Sequence, residues 1–171
     1  MGLVPAAVDA VAPIPVVAAG GIADGRGLAA ALALGAAGVS MGTRFTASRE
    51  SLWHQAMKAK TLAAGGDQTE QTRVFDIVRG APWPTIYPGR ALKNAFSERW
   101  NGHEDALAAD QKRQEEAYLA TASNDFATRV VWAGEGVDLV KDIPTASEII
   151  ERIIAQATST LMQGARLVRD G

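Results

Sequence analysis

The sequence predicts an α/β fold built on a βαβ unit near the N-terminus. Two short apolar runs without alternation, residues 15–19 and 38–41, are typical of parallel strands buried on both faces. Between them, Asp24 as N-cap and Gly35 as C-terminal stop predict a helix over residues 25–34. Because the strands begin about 22 residues apart, we expect them to pair in parallel through a right-handed crossover.

Two more helices are predicted around this unit. Residues 4–11 have helical apolar spacing and end before Pro13 and Pro15, which stop a helix. A helix over residues 48–64 follows the second strand and ends at Gly65-Gly66. Residues 1–64 are therefore predicted to hold two consecutive βα units of a parallel sheet or barrel.

The character of the chain changes after residue 64, and we predict a mostly helical region over residues 65–171. A strand is predicted over 73–78, an irregular proline-rich loop over 81–88, helices over 91–100 and 104–122, and a turn within 132–140. The final helix begins with a capping box, Thr145 to Glu148. Its apolar residues are predicted to form one stripe: Ile149, Ile150, Ile153, Ile154, Ala157 and Leu161.

Composition excludes several classes of function. The 171 residues are 47% hydrophobic and 21% charged with net charge −2, so nothing suggests a nucleic acid or an anionic membrane as partner. The chain has no cysteine, which excludes disulfides and thiolate chemistry, and its two histidines without a patterned carboxylate do not predict a metal site. No apolar run reaches the roughly 18–20 residues of a membrane span, and no signal peptide is apparent, so we expect a cytoplasmic protein.

The most informative signal is a pair of glycine-bearing turns, Gly20-Gly21 and Gly42-Thr43, each following a predicted strand. In parallel sheets and barrels both turns lie at the carboxyl ends of the strands, where ligands bind. Glycine allows a backbone amide to approach a phosphate closely, and a helix N-terminus adds partial positive charge. Arg44 either adds charge or pairs with an acid. The alternative is that these glycines serve only turn formation and close packing.

Other phosphate motifs fit less well. Residues 20–27 have the glycine spacing of a P-loop, but Arg26-Gly27 stands where that motif requires Lys and Ser or Thr. The Rossmann fingerprint G-x-G-x-x-G, with an acid about 20 residues on, is absent.

Longer stretches of the chain resemble one enzyme family. Residues 15–27 (PVVAAGGIADGRG) and 35–45 (GAAGVSMGTRF) are similar to the nitronate monooxygenase, or 2-nitropropane dioxygenase-like, family. Residues 87–96 (YPGRALKNAF) and 132–137 (WAGEGV) are similar to later parts of that family, so the resemblance covers most of the chain.

The resemblance implies the last two βα units of a TIM barrel that binds FMN noncovalently. By position, Gly20 and Gly21 match the family's first phosphate loop, and Ser40, Met41, Gly42 and Thr43 match its second. This placement agrees with the common phosphate site after strands 7 and 8 of such barrels. Ser40 stands where family members often have Gln, which puts a side-chain contact to flavin in doubt.

The implied activity is FMN-dependent oxidation of alkyl nitronates with oxygen. The family's flavin-ring contacts and its catalytic histidine belong to an N-terminal half of the barrel that this chain does not contain. Neither His54, expected inside a helix, nor His103, expected at a helix start, matches that histidine, so we predict no catalytic residue here. A TIM barrel needs eight βα units, and unpartnered buried strands expose apolar faces. We therefore expect folding to require the missing half or self-association.

Alternative functions remain open at this point. The same barrel also carries flavin-dependent enoyl reductases and NAD(P)H:quinone reductases, and a catalytically inactive phosphate-binding fragment is a third possibility. An inosine-monophosphate-dehydrogenase-like barrel needs a catalytic cysteine, which is absent. Trp83 and Tyr87 either line a substrate pocket or pin their own loop, and Glu135 faces a pocket or lies in a surface turn.

Overall fold

A computed structural model describes residues 2–169, which form two compact units. One unit joins the residues up to Leu52 with those from Leu139 onward, and the other is Trp53–Asp138. No helix in the described range is both long and apolar enough to cross a membrane. In chain order the elements are α1 (Leu3–Val11), β1 (Val17–Ala19), α2 (Gly25–Ala33), β2 (Gly38–Ser40), α3 (Thr43–Thr46), α4 (Gln55–Ala63), β3 (Thr69–Thr72), α5 (Val74–Val78), β4 (Gly89–Leu92), α6 (Ala95–Trp100), α7 (Glu104–Ala109), α8 (Gln111–Ala120) and α9 (Ala146–Arg169).

The first unit contains the predicted βαβ arrangement. β1 and β2 pair in parallel, with Val17 opposite Gly38 and Ala19 opposite Ser40. Asp24 caps α2 as predicted, and Gly35 follows the helix with φ +92°, the left-handed conformation expected of a C-terminal stop. The core between these elements is small, because its buried members are alanines: Ala18, Ala31 and Ala36.

The long helix α9 completes this unit by packing along α2. Its capping box forms as predicted: the Thr145 amide donates to Glu148 Oε2 at 2.7 Å and the Glu148 amide donates to Thr145 Oγ1 at 3.2 Å. The predicted apolar stripe lies on this helix, but only part of it is covered. Ile149, Ile153 and Ala157 are buried, whereas Ile150, Ile154 and Leu161 are 40–55% exposed.

One predicted helix begins later than expected. The helix expected over residues 48–64 begins only at Gln55, and α3 is a separate short turn of helix after Gly42. The intervening backbone bonds elsewhere, since the Arg49 amide donates to Pro144 O and the Ser51 amide to Ser48 Oγ. His54 is therefore not inside a helix but caps α4, where its Nδ1 accepts from the Ala56 amide at 3.1 Å.

The second unit is built on an antiparallel pair that sequence reasoning missed. β3 pairs with β4, with Thr69 opposite Leu92 and Thr72 opposite Gly89. The strand predicted over residues 73–78 is wrong, because that segment is helix α5. The helix predicted over 91–100 starts at Ala95, where Asn94 accepts from the Ser97 amide. Asp110 breaks the helix predicted over 104–122 into α7 and α8.

Aromatic side chains dominate the core of this second unit. Phe75 and Phe96 stack with ring centroids 5.7 Å apart, and Tyr118 meets Phe96 edge-on at 5.3 Å. The ring of Trp132 lies so close to Gly89 that a Cβ there would collide with it. The two units thus have cores of different size and chemistry. The sequence-based division of the chain into βα units over residues 1–64 and a mostly helical region over residues 65–171 remains a prediction.

Candidate functional site

The two glycine loops leave the parallel strands at one edge of the sheet. Because Ala19 lies opposite Ser40, the residues after them, Gly20-Gly21 and Met41-Gly42, follow a paired position on adjacent strands. Thr43 then begins α3. The structure therefore brings all six residues predicted from the sequence to the carboxyl edge of the β1-β2 pair, where parallel sheets hold their ligands.

Backbone conformation, not crowding, requires glycine in the first loop. Gly20 has φ +94° and Gly21 has φ +69°, both in the left-handed region that side chains disfavour. A Cβ on either residue, or on Gly42, would have no neighbouring atom within 4 Å. All three glycines are exposed, so the space in front of the loops is open. Close packing, the alternative explanation for these glycines, does not apply to them.

The amides of these glycines are available as donors. Among the turn and loop hydrogen bonds between backbone groups of residues 2–169, none uses the N–H of Gly20, Gly21 or Gly42. Exposed amides without a protein acceptor are the groups that cradle phosphates in glycine-rich loops.

The N-terminus of α2, in contrast, is already occupied by side chains. Asp24 accepts from the amides of Arg26 at 2.9 Å and Gly27 at 3.3 Å, and Gln156 Oε1 accepts from the Gly25 amide at 2.8 Å. Burial opposes ionisation of Asp24, but hydrogen bonds from Arg26 and Gly27 outweigh it and lower the pKa of this carboxyl. Any anion at this edge must therefore be held by the loops and not by the end of α2.

Arg44 pairs with an acid and does not reach toward the loops. Its side chain is 7% exposed and forms an ion pair with Asp142 Oδ1 at 3.2 Å. Nη2 donates to the carbonyl oxygens of Asp142 at 2.7 Å and Ala47 at 3.2 Å. Of the two uses predicted for Arg44, the structure has the acid-pairing one.

The remaining candidates make local contacts within the second unit. Trp83 Nε1 donates to Tyr87 O at 2.6 Å, which pins their own loop, while both side chains are about 60% exposed. Glu135 is exposed and pairs with Arg90 at 2.8 Å. His103 is exposed and directly precedes α7, as expected.

Comparison with known proteins assigns the chain to a family. Residues 1–156 match the nitronate monooxygenase family. The chain belongs to this family. Nitronate monooxygenase npaC of Metarhizium robertsii is 37% identical over 170 residues, covering 94% of this chain and 47% of that protein. The family resemblance seen in the sequence is thereby confirmed, and the relatives that carry its name are enzymes.

Solved structures agree with the α/β architecture. FabK from Thermotoga maritima matches with a TM-score of 0.77 and 32% identity, over 96% of this chain and 50% of that one. Nitroalkane oxidase from Streptomyces ansochromogenes matches with a TM-score of 0.73 and 28% identity, over 95% and 44%. Both neighbours are TIM barrels. The chain spans about half the length of the relatives it matches.

Sequence reasoning missed two long-range side-chain contacts beside the glycine loops. Gln156 lies 131 positions from Gly25, and Asp142 lies 98 positions from Arg44. Neither pair shows a periodic pattern or a short-range spacing, so only the folded structure reveals them.

Proposed function

We propose that this chain binds the phosphate of FMN at Gly20, Gly21, Ser40, Met41, Gly42 and Thr43. The observation that carries the proposal is the pair of open glycine loops at one sheet edge, in which the amides of Gly20, Gly21 and Gly42 have no backbone acceptor, in a chain of the nitronate monooxygenase family. A phosphate dianion would accept hydrogen bonds from these three glycine amides without displacing a backbone acceptor. The Ser40 side chain needs no role in this proposal, because the neighbouring backbone supplies the donors.

The activity proposed for the whole protein is FMN-dependent oxidation of alkyl nitronates with oxygen. It is supported by the family and by relatives named as nitronate monooxygenases over most of this chain. When bound, FMN supplies the redox chemistry, and this chain holds its phosphate and limits how it can move. We assign no catalytic residue here: His54 uses Nδ1 to cap α4, and His103 is an exposed residue before α7. A cytoplasmic location also remains our proposal, which cell fractionation would test.

Amide chemical shifts test the phosphate site residue by residue. In a ¹⁵N-labelled chain, FMN and inorganic phosphate should both shift the resonances of Gly20, Gly21 and Gly42, whereas riboflavin, which lacks the phosphate, should leave them in place. Gly2, remote in sequence and also open to solvent, serves as an internal control. Shifts spread over other residues, with the three loop glycines unchanged, would refute the proposed site.

A variant makes the same test sharper. Gly21→Ala places a side chain in the left-handed region, at a cost of roughly 1–2 kcal/mol, and should reorient the loop amides and weaken FMN binding. Gly38→Ala is the matched control, because its Cβ also meets nothing within 4 Å and its φ is not positive. Equal FMN affinity in both variants would contradict a role for the first loop.

The similarity to FabK favours a second candidate, a flavin-dependent enoyl or NAD(P)H:quinone reductase. The two activities separate when oxygen is excluded. Bleaching of the flavin absorbance by an alkyl nitronate alone supports the monooxygenase, and bleaching by NAD(P)H supports the reductase. If neither compound bleaches the flavin in protein that holds FMN, the chain is a phosphate-binding protein without turnover.

The proposed partner is the remainder of the barrel, supplied by further βα units or by self-association. Its support is the β1-β2 pair itself, a two-stranded parallel sheet whose Val17 side chain is 58% exposed. Exposed parallel strands recruit further strands or aggregate. Sedimentation velocity of the chain should show association that Val17→Lys reduces. A monomer that binds FMN and turns over nitronate unaided would exclude the need for a partner.

A further inference from the structure

Arg44 directly follows the second glycine loop, yet its guanidinium makes its hydrogen bonds to residues outside both loops. All three hydrogen bonds of its guanidinium go to Ala47 and Asp142, none of which belongs to the loops. The bond to Ala47 O closes the C-terminal end of α3, and the bonds to Asp142 tie α3 to the segment before α9. The residue that would most readily attract a phosphate therefore serves as an internal anchor.

The anchor is one of several ties between the same two segments. Asp142 is itself held by a hydrogen bond that it accepts from Arg152 of α9. The Arg49 amide donates to Pro144 O at 2.9 Å, and the Ala146 amide donates to Glu50 Oε2 at 2.9 Å. The second glycine loop is thus preceded by β2 and followed by Arg44, whose hydrogen bonds connect α3 to the segment before α9.

We propose that Arg44 is a positioning residue for the phosphate site, acting through Ala47 and Asp142 to hold the amides of Gly42 and Thr43 in place. The inference rests on the phosphate site proposed above. A loop held in its binding conformation binds more tightly because less ordering is needed when the ligand arrives. Arg44 is suited to this because its planar guanidinium bonds to two carbonyls and a carboxylate at once, which lysine cannot reproduce.

The test compares FMN with riboflavin, because only FMN carries the phosphate. Arg44→Met should lower FMN affinity about tenfold, because the loop must then be ordered when the phosphate binds, and leave riboflavin affinity unchanged. Arg44→Lys should recover only part of the loss. Arg113→Met is the matched control: it removes an exposed arginine that pairs with Asp110 in the second unit, away from the anchor, and should leave both affinities as in wild type.

Asp142→Asn is a second variant that tests the inference if Arg44→Met does not fold. It also distinguishes positioning by Arg44 from direct contact between Arg44 and the phosphate. It weakens the anchor without touching the Arg44 charge, so FMN affinity should fall by less than in Arg44→Met, again without change for riboflavin. Unchanged FMN affinity in Asp142→Asn alongside a loss in Arg44→Met means direct contact and overturns the inference. Equal losses for FMN and riboflavin overturn it too, as the effect would be general. If wild type shows no preference for FMN over riboflavin, the proposed phosphate site fails and this inference with it.

Discussion

At the scale of single residues, Gly25 is the tightest point of the first unit. Its position allows α2 to cross α9 so closely that an added Cβ would lie 2.6 Å from the Ala157 amide and 2.7 Å from the Gln156 Cβ, and would also collide with Ile153 O. These are mostly backbone atoms of a packed helix, which cannot move aside as the end of a flexible side chain can. Gly25 therefore sets the distance between the two helices.

We predict that Gly25→Ala destabilises the protein by roughly 1–3 kcal/mol, because an overpacked helix contact must separate to admit the methyl group. Urea denaturation followed by circular dichroism measures the change. The matched control is Gly164→Ala on α9, where a Cβ meets nothing within 4 Å. That change should stabilise by about 0.5–1 kcal/mol, since alanine is the better helix former. A neutral Gly25→Ala would show that the two helices are not held at this spacing.

The carboxylate of Asp142 makes the stability of the fold decrease at acid pH. Partial burial opposes its ionisation, but the hydrogen bond from Arg152 and the charges of Arg44 and Arg152 prevail and lower its pKa below the ordinary 3.8. A carboxyl whose pKa is lower in the folded state stabilises the fold above its unfolded pKa. That contribution disappears as the pH falls through the lowered value.

Asp142→Asn should therefore destabilise the protein at neutral pH and flatten the loss of stability below about pH 4. Melting temperatures of wild type and variant, measured from neutral pH to about pH 2, should converge at the acid end. Arg152→Met removes one of the two cations and should give a smaller change in the same direction. Parallel curves at all pH values would mean that Asp142 does not contribute through its charge.

Single residues also show where sequence reasoning succeeds. Asp24, Gly35 and Thr145 were predictable because a cap depends on residues three or four positions away. The positive φ of Gly20 and Gly21 agrees with their place after a strand. The role of Gly25 was not predictable, because its partner helix lies more than 120 residues later in the chain.

At the scale of elements, α9 holds the first unit together and depends on how it begins. The Thr145 hydroxyl accepts from the Glu148 amide while Glu148 accepts from the Thr145 amide and hydroxyl. Only the first three turns of the helix are packed, through Ile149, Ile153 and Ala157. The cap therefore acts on the part of α9 that carries the contact with α2.

We predict that Thr145→Ala lowers the free energy of unfolding by about 1 kcal/mol, the usual cost of losing an N-cap side chain. Ser147→Ala is the control, because the Ser147 hydroxyl contacts only Glu151 on the exposed face of the same helix. Chemical denaturation of both variants gives the comparison. If the two variants are equally stable, the capping box does not stabilise α9.

The errors in predicting elements have a common cause. Residues 73–78 are rich in β-branched and aromatic residues, which favour a strand, yet they form α5 because Val74, Phe75 and Val78 bury one helical face in the aromatic core. Ala91 and Leu92 are predicted to be helical, but they pair with β3, which lies about 20 residues earlier in the chain. In both cases tertiary contacts, which are invisible in a local window, outweigh intrinsic propensity.

At the scale of the whole molecule, the two units differ in how firmly each is built. The first has a core of three buried alanines, together with the contact between α2 and α9. The second buries Phe75, Phe96 and Tyr118 with branched aliphatic side chains. Burial of apolar area is the main stabilising term in folding, so the second unit should be the more stable.

We predict that thermal unfolding is not a single transition. All four tryptophans, at positions 53, 83, 100 and 132, lie in the second unit, so their fluorescence reports on that unit alone. Far-ultraviolet circular dichroism also detects α2 and α9 of the first unit. The dichroism should begin to fall at lower temperature than the fluorescence changes. Coincident curves from the two probes would indicate one cooperative unit.

The order of the units along the chain has a consequence for synthesis in the cell. Because the first unit is interrupted by Trp53–Asp138, the βαβ portion leaves the ribosome well before its partner helix does. At common translation rates α2 waits on the order of ten seconds for α9, while the inserted unit can already fold. During that interval the face of α2 that packs against α9 is uncovered in the nascent chain. Chaperone binding to stalled nascent chains should therefore be strongest when the ribosome pauses before residue 146 and should decline once α9 has emerged.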